Sequence, residues 1–176
     1  EAIRLDLDQL LSKHGIRFVG TGAKRVQPES HSLLLENDEV LPYNYLVIAS
    51  GPKLAFEEIP GLGPHGGFTQ SVCKTDHASI IADQFEAFCA NPGPVVIGAA
   101  QGASCYGPAY EYTFIIETEL RKRKIRDRVP MFFVTPEPYV GHLGLDGVGD
   151  TKSLMESELR ERHVKWYTNA RIDAVE

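Results

Sequence analysis

The strongest constraint on the fold lies in the second half of the chain, where strand and helix patterns alternate. "PVVIGAA" (94–100) reads as a short apolar strand. Residues 106–122 then place Ala109, Tyr112, Ile116 and Leu120 on one helical side. "MFFVT" is a second strand, 151–162 a second helix, "VKWYTNA" a third strand, and "RIDAVE" reads as the start of another. A strand followed by a helix and another strand must cross back over the sheet. Such repeats therefore imply a parallel sheet with right-handed crossovers. The expected class is α/β.

The first half reads differently. "AIRLDLDQLLSKHG" is the end of an amphipathic helix, with Ile3, Leu7, Leu10 and Leu11 on one face and Gly15 as its stop. "IRFVG", "AKRVQPE", "HSLLLEN" and "YNYLVIAS" follow as strands, with Pro-Glu-Ser and Asn-Asp turn signals between them. This is a run of antiparallel strands, and the last is apolar enough to be buried. Residues 51–67, "GPKLAFEEIPGLGPHGG", hold Gly or Pro at about half of their positions, which marks a linker and a domain boundary. Residues 76–90 have helical spacing through Ile80, Ile81, Phe85 and Phe88, with Asp76 as the expected N-cap. The expected division is 1–51, 52–91 (linker and helix) and 92–176. The chain opens inside a helical pattern and closes on an unfinished strand, which reads as a piece of a longer protein.

Composition narrows the function classes. The chain is 43% apolar and 24% charged, which suits a soluble protein with a real core. Its net charge of −6 argues against nucleic acid as a partner. No apolar run approaches the roughly 18 residues of a membrane span. Three cysteines are too few for a disulfide framework, and their spacing fits no zinc site, so no metal is expected. The basic stretch "ELRKRKIRDR" (119–128) closes a helix, where cations complement the dipole.

The turn after "PVVIG" tests for a nucleotide. A Rossmann-like site needs G-x-G-x-x-G: one Gly for the turn, one for approach of the pyrophosphate, one for helix packing. Here the positions read Gly98, Ala100 and Ala103. Ala100 puts a methyl group where phosphate oxygens should approach. The next strand should end in an acid for the ribose, but it ends "VTPEP", with Glu137 late. The architecture of a nucleotide fold survives while its recognition chemistry is weakened.

Sulfur chemistry is the other possibility for this turn. Cys105 falls at the start of helix 106–122, where unpaired N–H groups and the dipole favour a thiolate. Cys73 precedes another helix, with Lys74 beside it and His77 four residues on. Cys89, between Phe88 and Ala90, reads as a small buried hydrophobe. His142 lies in "GHLGLDGVG", a Gly-rich loop after a parallel strand, where ligands tend to sit.

These segments also carry a resemblance. "YNYLVIASGPKL" resembles the A-T-G motif of flavoproteins with two dinucleotide-binding domains, with Ser50 for the usual Thr. "QSVCKTDHA", "GAAQGASCYGPAYEY" and "PEPYVGHLGLDGVGDTKSLM" resemble the sulfide:quinone oxidoreductases. The resemblance implies a Rossmann-like second nucleotide-binding domain with a parallel sheet, plus the antiparallel-strand tail of a flavin-binding domain. It implies FAD as cofactor, with sulfide and quinone as substrates. Cys105 matches the redox cysteine presented to the flavin, and Cys73 matches a cysteine near the flavin that in some members is attached to it. Glu111 and His142 match family positions near the active site, with His77 beside Cys73, and all three are expected to handle protons. Ser50, Gly51, Pro52 and Ala23 match what remains of the flavin site. A second redox cysteine and the segments that seat such enzymes on a membrane surface lie outside this sequence. Turnover by the piece alone is therefore not expected, and assembly into a homo-oligomer is left open. Two alternatives remain: an NADH-using flavoprotein like the type II NADH dehydrogenases, and a non-catalytic nucleotide-fold module that binds a partner.

Overall fold

A computed structural model describes residues 5–176. The chain divides into two compact units, Glu1–Lys53 and Leu54–Glu176. Ile3 lies outside the described residues.

The first unit begins with α1 (Leu7–Ser12), whose first N–H groups are capped by the Asp6 carboxylate. Gly15 takes a left-handed φ of 69° just beyond it, as a helix stop requires. Leu7 and Leu10 are exposed. Strands β1 (Ala23–Gln27), β2 (Ser32–Leu35) and β3 (Val40–Pro42) form an antiparallel sheet in that order. The Asn-Asp turn signal works as read: Asn37 accepts from the Glu39 N–H, and Asp38 adopts a φ of 64°. Two strand expectations fail. "IRFVG" is irregular, and so is "YNYLVIAS", in which Val47 is 86% and Ile48 71% exposed. Past Tyr43, whose N–H donates to the His31 carbonyl, the sheet offers residues 44–50 no ladder, and a strand cannot form without one.

The second unit carries the parallel sheet. Strands β4 (Val95–Gly98), β5 (Met131–Val134) and β6 (Val164–Tyr167) pair in that order, Val95 opposite Met131 and Met131 opposite Val164. Helix α3 (Gly107–Lys122) connects β4 to β5, and α4 (Thr151–Glu161) connects β5 to β6. The core is one cluster: Tyr110, Ile116 and Leu120 from α3, Val129, Met131, Phe133 and Val140 around β5, Leu159 from α4 and Val164 from β6. Fully burying each such side chain is worth about 1.5–3 kcal/mol. Helix α2 (Thr75–Ala90) adds Phe85, Phe88 and Cys89 at the margin of that core.

Three details differ from the sequence expectation. The N-cap of α2 is Lys74, not Asp76; its backbone is extended, and no side chain caps the helix. The buried face of α3 runs through Tyr110, Thr113, Ile116, Glu117 and Leu120, one residue rotated from Ala109 and Tyr112, which are half-buried. "RIDAVE" is no strand. It is held by single backbone bonds and by Gln101, whose side-chain amide both donates to the Ile172 carbonyl (2.7 Å) and accepts from its N–H (3.0 Å). The basic stretch is largely neutralised on the surface: Arg121 pairs with Glu117, Lys122 with Glu119, and Arg123 with Glu86 and Glu119. Arg126 donates to the carbonyls of Val129 and Arg162. Among the described residues no helix is long and apolar enough to cross a membrane.

Candidate functional site

The β4–α3 turn sets the geometry of the second unit's C-terminal sheet edge. Gly98 closes the strand so tightly that an added Cβ would lie 1.9 Å from the Val134 carbonyl oxygen. The first glycine of the turn is thus required by strand packing. Ala100 and Ala103 close a turn of their own, the Ala103 N–H donating to the Ala100 carbonyl at 3.2 Å. Gln101, bound to Ile172, ties this turn to residue 172.

Cys105 follows the turn. It is exposed, and it sits immediately before Tyr106, the N-cap of α3. Cys73 occupies the same position relative to α2: exposed, one residue before the N-cap Lys74, its N–H donating to Ser71 Oγ at 3.2 Å. Cys89 is half-buried and packs against the core cluster. Both cysteines singled out from sequence are thus accessible sulfur atoms just outside helix amino ends. Glu111 is exposed on α3, directly after the buried Tyr110.

The loop after β5 holds a buried polar group whose partners the sequence did not show, Glu137. It is 2% exposed and turned inward. One carboxylate oxygen accepts from the hydroxyls of Tyr110 and Thr135, each at 2.7 Å. The other accepts from the Leu143 N–H at 2.6 Å. The Tyr110 oxygen in turn accepts from the Gly141 N–H at 2.9 Å. Burial pushes the Tyr110 phenol up and the Gly141 N–H pulls it down. The adjoining Glu137 carboxylate adds to the rise, leaving it well above the usual tyrosine range. Burial likewise raises Tyr112.

His142 stands between the two anchored amides. Its Nδ1 accepts from the Gly144 N–H at 3.1 Å, so a neutral ring carries its proton on Nε2, which meets Asp146 at 3.0 Å. Tyr139 packs edge-on against the ring. The loop also approaches the cysteine turn: a Cβ on Gly144 would touch the Tyr106 ring at 3.4 Å.

His77 is the one histidine buried outright, at 2% exposure, and its Nδ1 has no partner. Its Nε2 lies 3.9 Å from the Asp76 carboxylate, as does that of His65. Desolvation pushes the Asp76 carboxyl up, but backbone N–H groups and the charges of His77 and Lys74 outweigh it and hold the carboxyl below its ordinary value. Donor atoms of His65, Asp76 and His77 lie within 4.8 Å of one another. An ion bound at about 2.0–2.1 Å would need these atoms drawn closer by roughly half an ångström. The arrangement as it stands is a carboxylate set 3.9 Å from two imidazoles, one exposed and one buried.

The chain is 41% identical over all 176 residues to the sulfide-quinone reductase of Aquifex aeolicus, and it spans 40% of that protein's length. The crystal structure of the sulfide:quinone oxidoreductase from the same bacterium superposes with a TM-score of 0.91, over 98% of this chain and 39% of that one. The chain belongs to the sulfide:quinone oxidoreductase family. Two further structures share the fold at low identity. A ferredoxin reductase from Rhodopseudomonas palustris has a TM-score of 0.66 at 14% identity, over 96% of this chain and 36% of its own. An NAD-dependent persulfide reductase from A. fulgidus has 0.62 at 21%, over 97% of this chain and 28% of its own. No protein-family model matches the chain.

Within this sulfide:quinone oxidoreductase family member, the residues expected at a flavin lie partly in the first unit. Ala23 opens β1, opposite Leu35, with its side exposed. Ser50, Gly51 and Pro52 form an exposed turn in which Gly51 takes a φ of 70°, with no atom within 4 Å of an added Cβ. That open, left-handed backbone suits close approach by a flat or anionic group. Cys73, His77, Cys105, Glu111 and His142 all lie in the second unit.

Proposed function

We propose that the whole protein oxidises sulfide to polysulfide or sulfur and passes the electrons to a quinone. The reading is supported above all by two exposed thiols, Cys105 and Cys73, each placed immediately before a helix N-cap. Both sulfur atoms are open to an incoming sulfide, and sulfur exchange at a cysteine proceeds through its sulfur as attacking or leaving group.

FAD is the cofactor in this reading. Ala23, Ser50, Gly51 and Pro52 would hold it, with Cys73 close to it or attached. When bound it supplies a two-electron acceptor between sulfide and quinone. Sulfide attacks a disulfide between Cys105 and a second cysteine outside this chain: the S–S bond breaks, the second cysteine takes the substrate sulfur as a persulfide, and Cys105 leaves as the thiolate. Glu111, exposed one turn into α3, takes or returns protons of the sulfide. His142 shares that work, its Nε2 proton held by Asp146. His77, with a buried and unpartnered Nδ1, is the third such group.

Membrane seating at the surface, through parts of the protein outside this chain, and assembly with further copies of itself belong to the same proposal. So does the lack of NADH chemistry. Ala100 puts a methyl group where a pyrophosphate would approach, and Glu137, near the strand end where a ribose acid is needed, is turned inward onto Tyr110, Thr135 and Leu143.

The test is flavin bleaching in the full-length protein on anaerobic addition of sulfide, in the native sequence and in Cys105→Ser. Bleaching by sulfide that is lost in the variant supports the reading. Bleaching that is unaltered in Cys105→Ser removes Cys105 from the reaction, and bleaching by NADH but not sulfide overturns the proposal.

A further inference from the structure

The polar cluster around Glu137 has a feature that core stability alone does not require. A buried carboxylate must be desolvated, and its partners must recover that cost. Here it accepts three hydrogen bonds, from Tyr110, Thr135 and the Leu143 N–H. Replacing such a group by a well-packed apolar side chain is often neutral or stabilising. What hydrocarbon could not replace is the pattern of backbone groups served. Tyr110 accepts the N–H of Gly141, and Glu137 accepts the N–H of Leu143. These are the two residues that flank His142.

We infer that the Tyr110–Glu137 pair is the positioning unit of His142, fixing the loop that presents this imidazole beside the Cys105 turn. The inference rests on the proposed role of His142 as a proton-handling group.

Three observations support it. The backbone at the site is one that would not hold itself: Gly141 has a φ of 83° and Leu143 a φ of 58°, a left-handed conformation that a leucine adopts only under constraint. The clamp is then continued outward. The Thr151 hydroxyl donates to the Gly141 carbonyl at 2.8 Å and accepts the Val148 N–H at 3.1 Å, so the start of α4 holds the far side of the loop. Finally, Tyr110 belongs to α3, whose amino end carries Cys105, and the loop's Gly144 approaches the Tyr106 ring. One rigid helix therefore sets both the sulfur and the loop bearing the imidazole. A displacement of an ångström in such a group costs about a hundredfold in rate.

The test uses the full-length protein with flavin bound. Tyr110→Phe removes the acceptor for the Gly141 N–H and the donor to Glu137, while keeping the ring that packs on Phe133. Glu137→Gln keeps the shape and disturbs the acceptors. Leu159→Ala, a core change away from the polar cluster, is the control for simple destabilisation. In both network variants the rate of sulfide-driven flavin reduction should fall about ten- to a hundredfold with the quinone KM unchanged. The His142 imidazole NMR signals should shift or broaden. Leu159→Ala should lower stability yet leave those signals in place. Native signals and rates in both network variants overturn the inference, as does a shift of equal size in Leu159→Ala. Should the variants not fold, hydrogen exchange in the native protein decides: the Gly141 and Leu143 amides should be protected, and exchange as fast as at exposed loop amides overturns it. Native protein without sulfide-driven flavin reduction would instead overturn the proposed function, and the NMR and exchange results would still decide the positioning role.

Discussion

Gly98 gives the sharpest quantitative test of how the turn is built. In Gly98→Ala the new methyl carbon would sit 1.9 Å from the Val134 carbonyl oxygen, 2.8 Å from its carbon and 3.1 Å from its nitrogen. All three are backbone atoms of the neighbouring strand, so no side chain can swing away. Restoring an ordinary contact of about 3.5 Å needs β4 and β5 to part by about 1.5 Å at this point. That separation breaks the bond from the Ala99 N–H to the Val134 carbonyl, now 3.1 Å, and opens the end of the ladder. One or two lost hydrogen bonds at about 0.5–1.5 kcal/mol each, added to about 1–3 kcal/mol of overpacking, give a destabilisation of about 1.5–6 kcal/mol. Gly93→Ala is the matched control. It has no atom within 4 Å of an added Cβ and no left-handed φ, so it should be neutral or stabilising by about 0.4–1 kcal/mol. Urea unfolding followed through Trp166, the chain's single tryptophan, reads the same sheet. Equal midpoints for Gly98→Ala and Gly93→Ala would refute the packing argument and return Gly98 to being a nucleotide-turn glycine only.

Gln101→Ala should free residue 172. It loses two hydrogen bonds worth about 0.5–1.5 kcal/mol each, and exchange of the Ile172 amide should rise about tenfold or more; an unchanged rate refutes the clamp. Tyr110 and Tyr112 should stay un-ionised while the protein is folded, because burial raises both phenols. A raised folded value adds stability that is complete below the unfolded tyrosine value near pH 10 and is lost as pH rises from there toward the folded value. Alkaline titration by phenolate absorbance should therefore count fewer than the seven tyrosines until the protein unfolds. Seven reversible phenolates in the folded protein refute the burial argument.

The parallel unit was legible in the sequence because its signals are local. Val95–Gly98, Met131–Val134 and Val164–Tyr167 are short runs between longer helical repeats, and those periods survive any detail of packing. The failures have a common cause. "YNYLVIAS" and "RIDAVE" have the composition of strands, but a strand is completed by a neighbour, and composition does not say whether one is there. Val47 and Ile48 are accordingly left exposed, and Ile172 is paired by a side chain in place of a strand. The shift of the α2 N-cap from Asp76 to Lys74 is smaller in kind: helix ends are decided by backbone angles within a turn, which one acidic residue does not fix.

The site divides along the same line. Cys105 and Cys73 could be found because a thiol just ahead of a helical period is visible as a pattern, and both prove to be exposed there. Glu137 could not. Its partners are Tyr110, 27 residues earlier, and the Leu143 amide, six residues later, and only the folded loop brings them to one carboxylate. The available signal was the acid of "VTPEP", held between two prolines directly after an apolar strand, where a solvated glutamate has little freedom to reach outward. The sequence showed that Glu137 comes too late to be the ribose acid a nucleotide fold places at that strand end, but not what the carboxylate binds instead. In this chain the carboxylate at that edge is turned inward, where it accepts the Leu143 N–H next to His142, and so it is not presented to a ribose at the strand end.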